Sequence, residues 1–524
     1  MSRRAQAIVG ASVAFWAGGA AFGATSEAAL ADAAMNRDMA AVRALIREGA
    51  DPNSRGKYDT PALLWLVRVG DVETAKLLLD AGANPNTGSA QGVLALQLAV
   101  ANGDRAMTEL LLTRGAAVDA VDPTGETALF TAAKVGDEAI AELLLAHGAQ
   151  GDRKEPRYSQ TPLHVAAREG SLGVAKLLIR HGADVNAQTL RGPEPRFRLP
   201  SENAGSKGVG IVRGGWPERG MRQPVPGAKT PLLYATRGGH RALALALLEA
   251  GAKLEQADGN GVGPLLNTIL NASAPGDRAG ERLQLAHDLI DKGADVNASD
   301  WYGETPLWAA VDLRNVDLAG PATDNGIDRA AALALIEALL ASGAEPNPRV
   351  REYPPERRYL MRLGSLSWVD FTGQTPFLRA ALAGDTTVMK LLLAHGADPN
   401  IATYEGTTPL MAAAGVNWVV SQTFDEGQEA LLEAVKLAHR LGNDVNAVNS
   451  MGIGAVHGAA NRGSNDILRY LAEQGARLDV PDRQGRTPLA WAEGVFLATH
   501  PPVRKPSTID LIQSLLPASA AAGL

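Results

Sequence analysis

The dipeptide Gly-Ala returns along this chain at a near-fixed interval, and no other feature restricts its possible folds as much. It stands at Gly49, Gly82, Gly115, Gly148, Gly182, Gly251, Gly293, Gly343, Gly396 and Gly475, with Gly442-Asn443 in its place once. The first three intervals are 33 residues and the fourth is 34, and 33 returns between Gly442 and Gly475. A fixed period of this size means stacked supersecondary units, each too small to bury its own apolar face and completed by its neighbours. Composition agrees: 46% of the 524 residues are hydrophobic, 20% are charged and only 5% are aromatic, enough apolar material for a continuous core built from small side chains.

The clearest copy runs Thr161-Pro162-Leu163-His164-Val165-Ala166-Ala167-Arg168-Glu169-Gly170, then Ser171 to Arg180, then His181-Gly182-Ala183-Asp184-Val185-Asn186. Threonine before proline is a helix start, with threonine as the N-cap and proline preset for the first helical position. Gly170 is placed to end this helix in the left-handed conformation, and Ser171 to cap the next, as Asp71, Asp104, Asp137 and Asp385 are after their glycines. Val174, Leu177 and Leu178 have the three-and-four spacing of one buried helical face. The predicted unit is helix, turn, helix, glycine stop and extended loop.

These residues resemble the ankyrin repeat, through Thr-Pro-Leu-His-x-Ala-Ala and the Gly-Ala-Asp-x-Asn turn. Thr-Pro starts occur at Thr60, Thr161, Thr230, Thr305, Thr375, Thr408 and Thr487, with degenerate versions around Leu94, Thr127, Gly263 and Gly454. The resemblance spans residues 25–516 and gives 12 units. It implies an all-α solenoid of antiparallel helix pairs with hairpin fingers along one edge and a concave binding face. In the seventh unit Thr268-Ile269 replaces the alanine pair, which predicts looser packing or a local bend there. Residues 517–524 read as an Ala-rich tail.

At the amino terminus, Ser2-Arg3-Arg4 precedes an uncharged apolar stretch from Ala5 to Phe22 and the small-residue pattern around Gly23. Residues 1–24 therefore read as a bacterial secretory signal cleaved after Gly23 or Ala24, which predicts an exported protein, periplasmic or secreted, with no transmembrane span after processing. An uncleaved N-terminal membrane anchor is the alternative. The absence of cysteine excludes disulfides, thiolate metal sites and cysteine nucleophiles. A net charge of -7 argues against nucleic acid as a general partner.

Insertions show which edge has been elaborated. Two enlarge fingers, at 188–229 and 348–373; four separate the helices of one repeat, at 272–281, 314–329, 416–429 and 495–508. The first finger insert carries eight basic residues against three acidic. The second sets Arg349, Arg351, Arg357, Arg358 and Arg362 among Tyr353, Tyr359, Trp368 and Phe371. Arginine with aromatics is the usual anchor chemistry of protein interfaces, and an acidic partner surface suits both loops. Five aromatics, Tyr58, Tyr158, Trp301, Tyr302 and Tyr404, stand at ordinary fingertips and are expected to be exposed there. They read either as a binding strip or as rings folded onto the neighbouring finger. The candidate partner-binding set is thus Arg351, Tyr353, Arg357, Arg358, Tyr359 and Trp368 with these five.

No catalytic constellation emerges. His164 and His457 occupy the first-helix position where the resemblance implies a bracing histidine, and His147, His181 and His395 belong to the turn before Gly-Ala. Gly227-Ala228-Lys229-Thr230 lacks the glycine-lysine adjacency of a phosphate loop, and no zinc-protease, nucleophile-elbow or EF-hand pattern is present. The expectation is a monomeric, non-catalytic protein-binding scaffold or adaptor of the bacterial envelope, needing no cofactor or metal. An accessory or protective subunit of an exported enzyme and a secreted effector that binds host proteins are the alternatives.

Overall fold

A computed structural model describes residues 28–193, 225–273, 278–316, 327–351, 372–418, 423–424, 426–495 and 502–516. The signal segment, the tail and most of both finger inserts lie outside them. The described chain is helical, with one short 3-10 turn and three isolated bridges at finger bases. It divides into two compact units, residues 1–190 with 229–253, and residues 191–228 with 254–524.

The first unit holds six helix pairs: α1 (Ala29–Met35) with α2 (Met39–Arg47), α3 (Ala62–Val69) with α4 (Val72–Asp80), α5 (Ala95–Ala101) with α6 (Arg105–Thr113), α7 (Ala128–Val135) with α8 (Glu138–Ala146), α9 (Pro162–Glu169) with α10 (Leu172–Arg180), and α11 (Pro231–Gly238) with α12 (Arg241–Glu249). The second holds six more: α13 (Pro264–Leu270) with α14 (Ala279–Asp291), α15 (Pro306–Asn315) with α16 (Arg329–Ala341), α17 (Pro376–Ala383) with α18 (Thr386–Ala394), α19 (Pro409–Ala414) with α20 (Gln428–Arg440), α21 (Ala455–Arg462) with α22 (Asn465–Glu473), and α23 (Pro488–Gly494) with α24 (Pro506–Leu515). Within each unit the first helix of a pair packs on the first helices beside it, forming a layer of their own. Twelve pairs match the expected repeat solenoid.

Alanine makes this layering possible. Ala132-Ala133, Ala166-Ala167 and Ala380-Ala381 are fully buried where first helices meet, and the leucines of the second helices fill the space between layers. Thr268 and Ile269 are equally buried, and the Thr268 hydroxyl donates to the Pro264 carbonyl oxygen at 2.8 Å. The hydroxyl is satisfied within its own helix, so the substitution leaves no buried polar group unpaired there.

The caps explain the rest of the motif. Thr161, Thr230, Thr305, Thr375, Thr408 and Thr487 accept helix N–H groups as predicted. Thr60 does not: α3 begins at Ala62 with Pro61 in the capping position, and the Thr60 hydroxyl donates instead to Tyr58 O at 3.1 Å. Bridges Arg55–Pro61, Gly88–Leu94 and Val448–Gly454 show that Pro61, rather than Thr60, matches the other helix starts. Asp71, Asp104, Asp137 and Asp385 cap second helices, whereas the Ser171 hydroxyl makes no cap bond, a second correction. Gly170 ends α9 at φ 78°, in the left-handed region where an L side chain is strained.

The asparagine of the Gly-Ala-Asp-x-Asn turn has a role that its repetition alone does not reveal. Asn347 Nδ2 donates to Gly396 O at 3.1 Å while its Oδ1 accepts from Asp398 N at 2.8 Å. Asn86 does the same to Gly115 O and Ala117 N in the first unit, and Asn297 and Asn446 repeat it in the second. Each such asparagine staples its turn to the next one, answering backbone groups left open by the glycine stop.

Candidate functional site

In the first unit, counting seven residues from each first-helix cap reaches the same place on successive helices. That place holds Arg68 on α3, Lys134 on α7, Arg168 on α9 and Arg237 on α11, with Ala101 on α5 interrupting the row. All four cations lie in the last helical turn, where they also favour the helix dipole. Arg68, Lys134 and Arg168 are exposed and Arg237 is half-buried. Lys134 pairs with Glu126, and Arg168 Nε with Glu169 Oε1 at 2.9 Å. The Arg168–Glu169 pair is solvent-facing and so is cheap to rearrange, whereas Glu126 is half-buried beneath Lys134.

Around Arg168 and Arg237 the row becomes a cluster. Gln160 donates from Nε2 to the Tyr234 hydroxyl at 3.0 Å and accepts from Arg168 Nη1 at 3.3 Å. Burial pushes the Tyr234 phenol upward from its ordinary range, against the opposing charges of Arg168 and Arg237, so both cations act on this one hydroxyl. His164 stands edge-on to the Tyr234 ring, centroids 5.9 Å apart. Its Nδ1 accepts from Thr161 N at 3.1 Å and its Nε2 donates to Lys229 O at 3.0 Å, which braces the following finger base. Burial lowers the His164 imidazole to about 4, so the ring is neutral near pH 7. At the far end of the row the Arg68 guanidinium lies 5.8 Å from the Trp65 ring.

The predicted fingertip aromatics separate into three kinds. Tyr58 and Tyr158 are 59% and 51% exposed, with Lys57 and Arg157 set against their ring faces. Trp301 and Tyr404 fold back on the preceding finger through Trp301 N to Asn260 O and Tyr404 N to Thr372 O, each at 3.0 Å. Arg191 stacks on Trp301 and Arg349 on Tyr404, which keeps 42% of its surface exposed. Tyr302 corrects the expectation of exposure, being 2% exposed. The stem of the second finger insert covers it: Arg351 N donates to Tyr302 O at 2.6 Å, and Val350 N pairs with Gln374 O. Arg351 itself is exposed. Tyr353, Arg357, Arg358, Tyr359 and Trp368 lie outside the described residues.

The second unit contains charges that sequence reading left unassigned. Arg379 is buried on α17, donating from Nε to Asp312 Oδ1 and from Nη2 to Asn315 O, both at 2.6 Å. Arg314 donates to Asp385 at 2.8 Å, and Arg329 pairs with Glu426 while stacking on Phe424, centroid distance 4.0 Å. Phe424 N donates to Asn315 O and Glu426 N to Ala383 O, so the connector before α20 ties itself to α15 and α17. The insert before α20 is thus in part a structural strap. The network draws its residues from three successive repeats, which no local pattern brings together.

Among the described residues no three or more His, Cys, Asp or Glu side chains gather where a metal ion would sit, and no helix is long and apolar enough to cross a membrane.

A family model for ankyrin repeats matches residues 30–122, 96–189, 329–422 and 424–494, more than half of the chain. The protein belongs to the ankyrin-repeat family, whose repeats serve generally as protein-binding scaffolds. It is 34% identical over 210 residues to the neurogenic locus notch homolog protein 1 of Mus musculus, covering 37% of this chain and 8% of that protein. It is 36% identical over 86 residues to the inactive serine/threonine-protein kinase TEX14 of Bos taurus, covering 16% of this chain and 6% of that one. The chain therefore spans under a tenth of these relatives. The human ASB11 ankyrin repeat domain aligns with 54% of this chain and 98% of its own, at 22% identity and a TM-score of 0.37.

Proposed function

We propose that the protein is a non-catalytic protein-binding scaffold or adaptor of the bacterial envelope, engaging its partner through the first-helix face, the fingertips and the basic finger inserts. The observation that carries this reading is the cluster of Arg168, Gln160, Tyr234 and Arg237 in line with Lys134 and Arg68. It joins cations, a hydroxyl and aromatic surface across consecutive repeats, the mixture that anchors protein interfaces. Tyr58 and Tyr158, exposed with cations on their faces, extend the same chemistry to the finger edge. The apolar stretch from Ala5 to Phe22 after Arg3-Arg4 supports export, with the mature chain beginning near Ala24 or Thr25.

The test is retrieval of the mature protein from an envelope fraction with whatever it retains, together with its intact mass. One protein held in stoichiometric amount, on a chain lacking residues 1–24, is the expected result. Retention of Met1 to Phe22 with membrane association would reject export, and an exported enzyme as the retained partner would make the protein its accessory subunit.

A further inference from the structure

The first-helix row has a spacing as well as a charge. Lys134, Arg168 and Arg237 occupy equivalent positions on three successive packed helices, α7, α9 and α11. Neighbouring packed helices lie about 8–10 Å apart, so the cations recur along the stack at roughly that interval. An extended β-strand turns alternate side chains to one face, about 6.6 Å apart, and misses this interval. A polyproline II segment has three residues per turn and rises about 3.1 Å per residue, so every third side chain returns to one face at about 9.3 Å.

The surroundings of the row favour a carboxylate guest. Besides the four cations, Lys229 lies at the finger base; Glu126 and Glu169 are paired with row members, and Glu155, the other acidic residue acting on Tyr234, is buried and accepts from the backbone N–H groups of Arg157, Tyr158 and Gln160. A chain of net charge -7 therefore presents a locally basic strip. The helix dipole accounts for a cation in a last turn, but it does not account for Gln160 and Tyr234. Gln160 holds the Tyr234 hydroxyl beside the Arg168 guanidinium, and that hydroxyl, accepting from Gln160, has its own O–H to offer with the guanidinium to a planar anion.

We propose that this strip receives a polyproline-II-like segment of a partner protein bearing Glu or Asp at every third position, its successive carboxylates meeting Arg237, Arg168 and Lys134. The interruption at Ala101, beside half-buried Leu98, then faces an uncharged partner residue, and Arg68 with Trp65 meets the segment one repeat farther on. This rests on the scaffold reading and specifies the partner's chemistry.

The experiment uses the full mature chain and two labelled peptides of identical composition. One is a (Glu-Pro-Pro) repeat of four triplets and the other has its four glutamates clustered. Fluorescence anisotropy should show the triplet peptide binding at least about tenfold more tightly, with affinity falling as salt rises. Arg168→Glu with Arg237→Glu should abolish the difference, and Arg168→Gln should weaken it with an unchanged melting temperature. Equal affinity for the two peptides would overturn the spacing argument. Unaltered affinity in the folded variants, or tighter binding of a single-stranded oligonucleotide, would overturn the assignment to this strip or to carboxylates. If the envelope partner is still retained by the double variant, the scaffold reading stands and only this inference falls; if no partner is retained by wild-type protein while the peptides discriminate, the reverse holds.

Discussion

Arg379 and Asp312 meet at 2.6 Å between α17 and α15, with the arginine side chain 1% exposed. Burial pulls the guanidinium down to about 9, partly opposed by the charge of Asp385. It stays paired because Asp312 and the Asn315 carbonyl accept hydrogen bonds from it; among the described residues Arg379 Nη1 meets no acceptor. Removing one partner of such a pair leaves a buried charge, whereas replacing both with apolar residues need not. Asp312→Ala is expected to cost about 3–5 kcal/mol in urea unfolding, and Asp312→Leu with Arg379→Met to return to within about 2 kcal/mol of wild type. Equal losses in the single and double variants would refute the pairing argument.

The asparagine staples make a second expectation. Asn347→Ala removes one donor and one acceptor that join adjoining turns, and each hydrogen bond is worth about 0.5–1.5 kcal/mol net. A loss of about 1–3 kcal/mol should follow in chemical denaturation, with helix content by circular dichroism unchanged. Asn347→Asp should recover part of it, since a carboxylate still accepts from Asp398 N but does not donate to Gly396 O. No recovery would show that the acceptor half contributes little.

His164 imposes a pH dependence whose sign is fixed by its environment. Burial holds its folded-state value near 4 against an ordinary 6.5, so the unfolded chain binds the proton first. The stability associated with the neutral ring is complete above pH 6.5, declines as pH falls towards about 4, and changes little below that. His457 is shifted in the same direction by burial. Comparing urea unfolding at pH 7.5 and 4.5, His164→Gln should lose about 2–3 kcal/mol less than wild type over this interval. Parallel losses would mean that other groups set the acid limb.

The second finger insert supplies the last expectation. If Arg357 and Arg358 pair with partner carboxylates, reversal of both to Glu weakens binding more than neutralisation to Gln, because repulsion is added to lost attraction. Removing a hot-spot aromatic costs about 2 kcal/mol, so Trp368→Ala should lower affinity roughly thirtyfold if that ring is an anchor. Titration against the retained partner, with melting temperature as the control for folding, decides it. Unchanged affinity in all these variants would move the contact to Tyr58, Tyr158 and the Arg168–Arg237 strip.

Much of the architecture was determined by sequence alone, because the repeat is written in short-range terms. A Thr-Pro pair marks many of the helix starts, glycine marks the stops, and a spacing of three and four marks a buried face; each acts within a few residues, so the period identifies the pair and the family. Tertiary structure decided whatever depends on residues one repeat or more apart. Thr60 lost the cap to Pro61 because finger pairing sets where the helix begins. Tyr302 lost its exposure because the stem around Val350 and Arg351 lies over it. Lys134, Arg168 and Arg237 could have been aligned by counting from each cap, yet only the packed first helices turn that count into a row. Arg379 and Asp312, 67 positions apart, carry no local signal at all, because their attraction begins only when two helices have already excluded water between them.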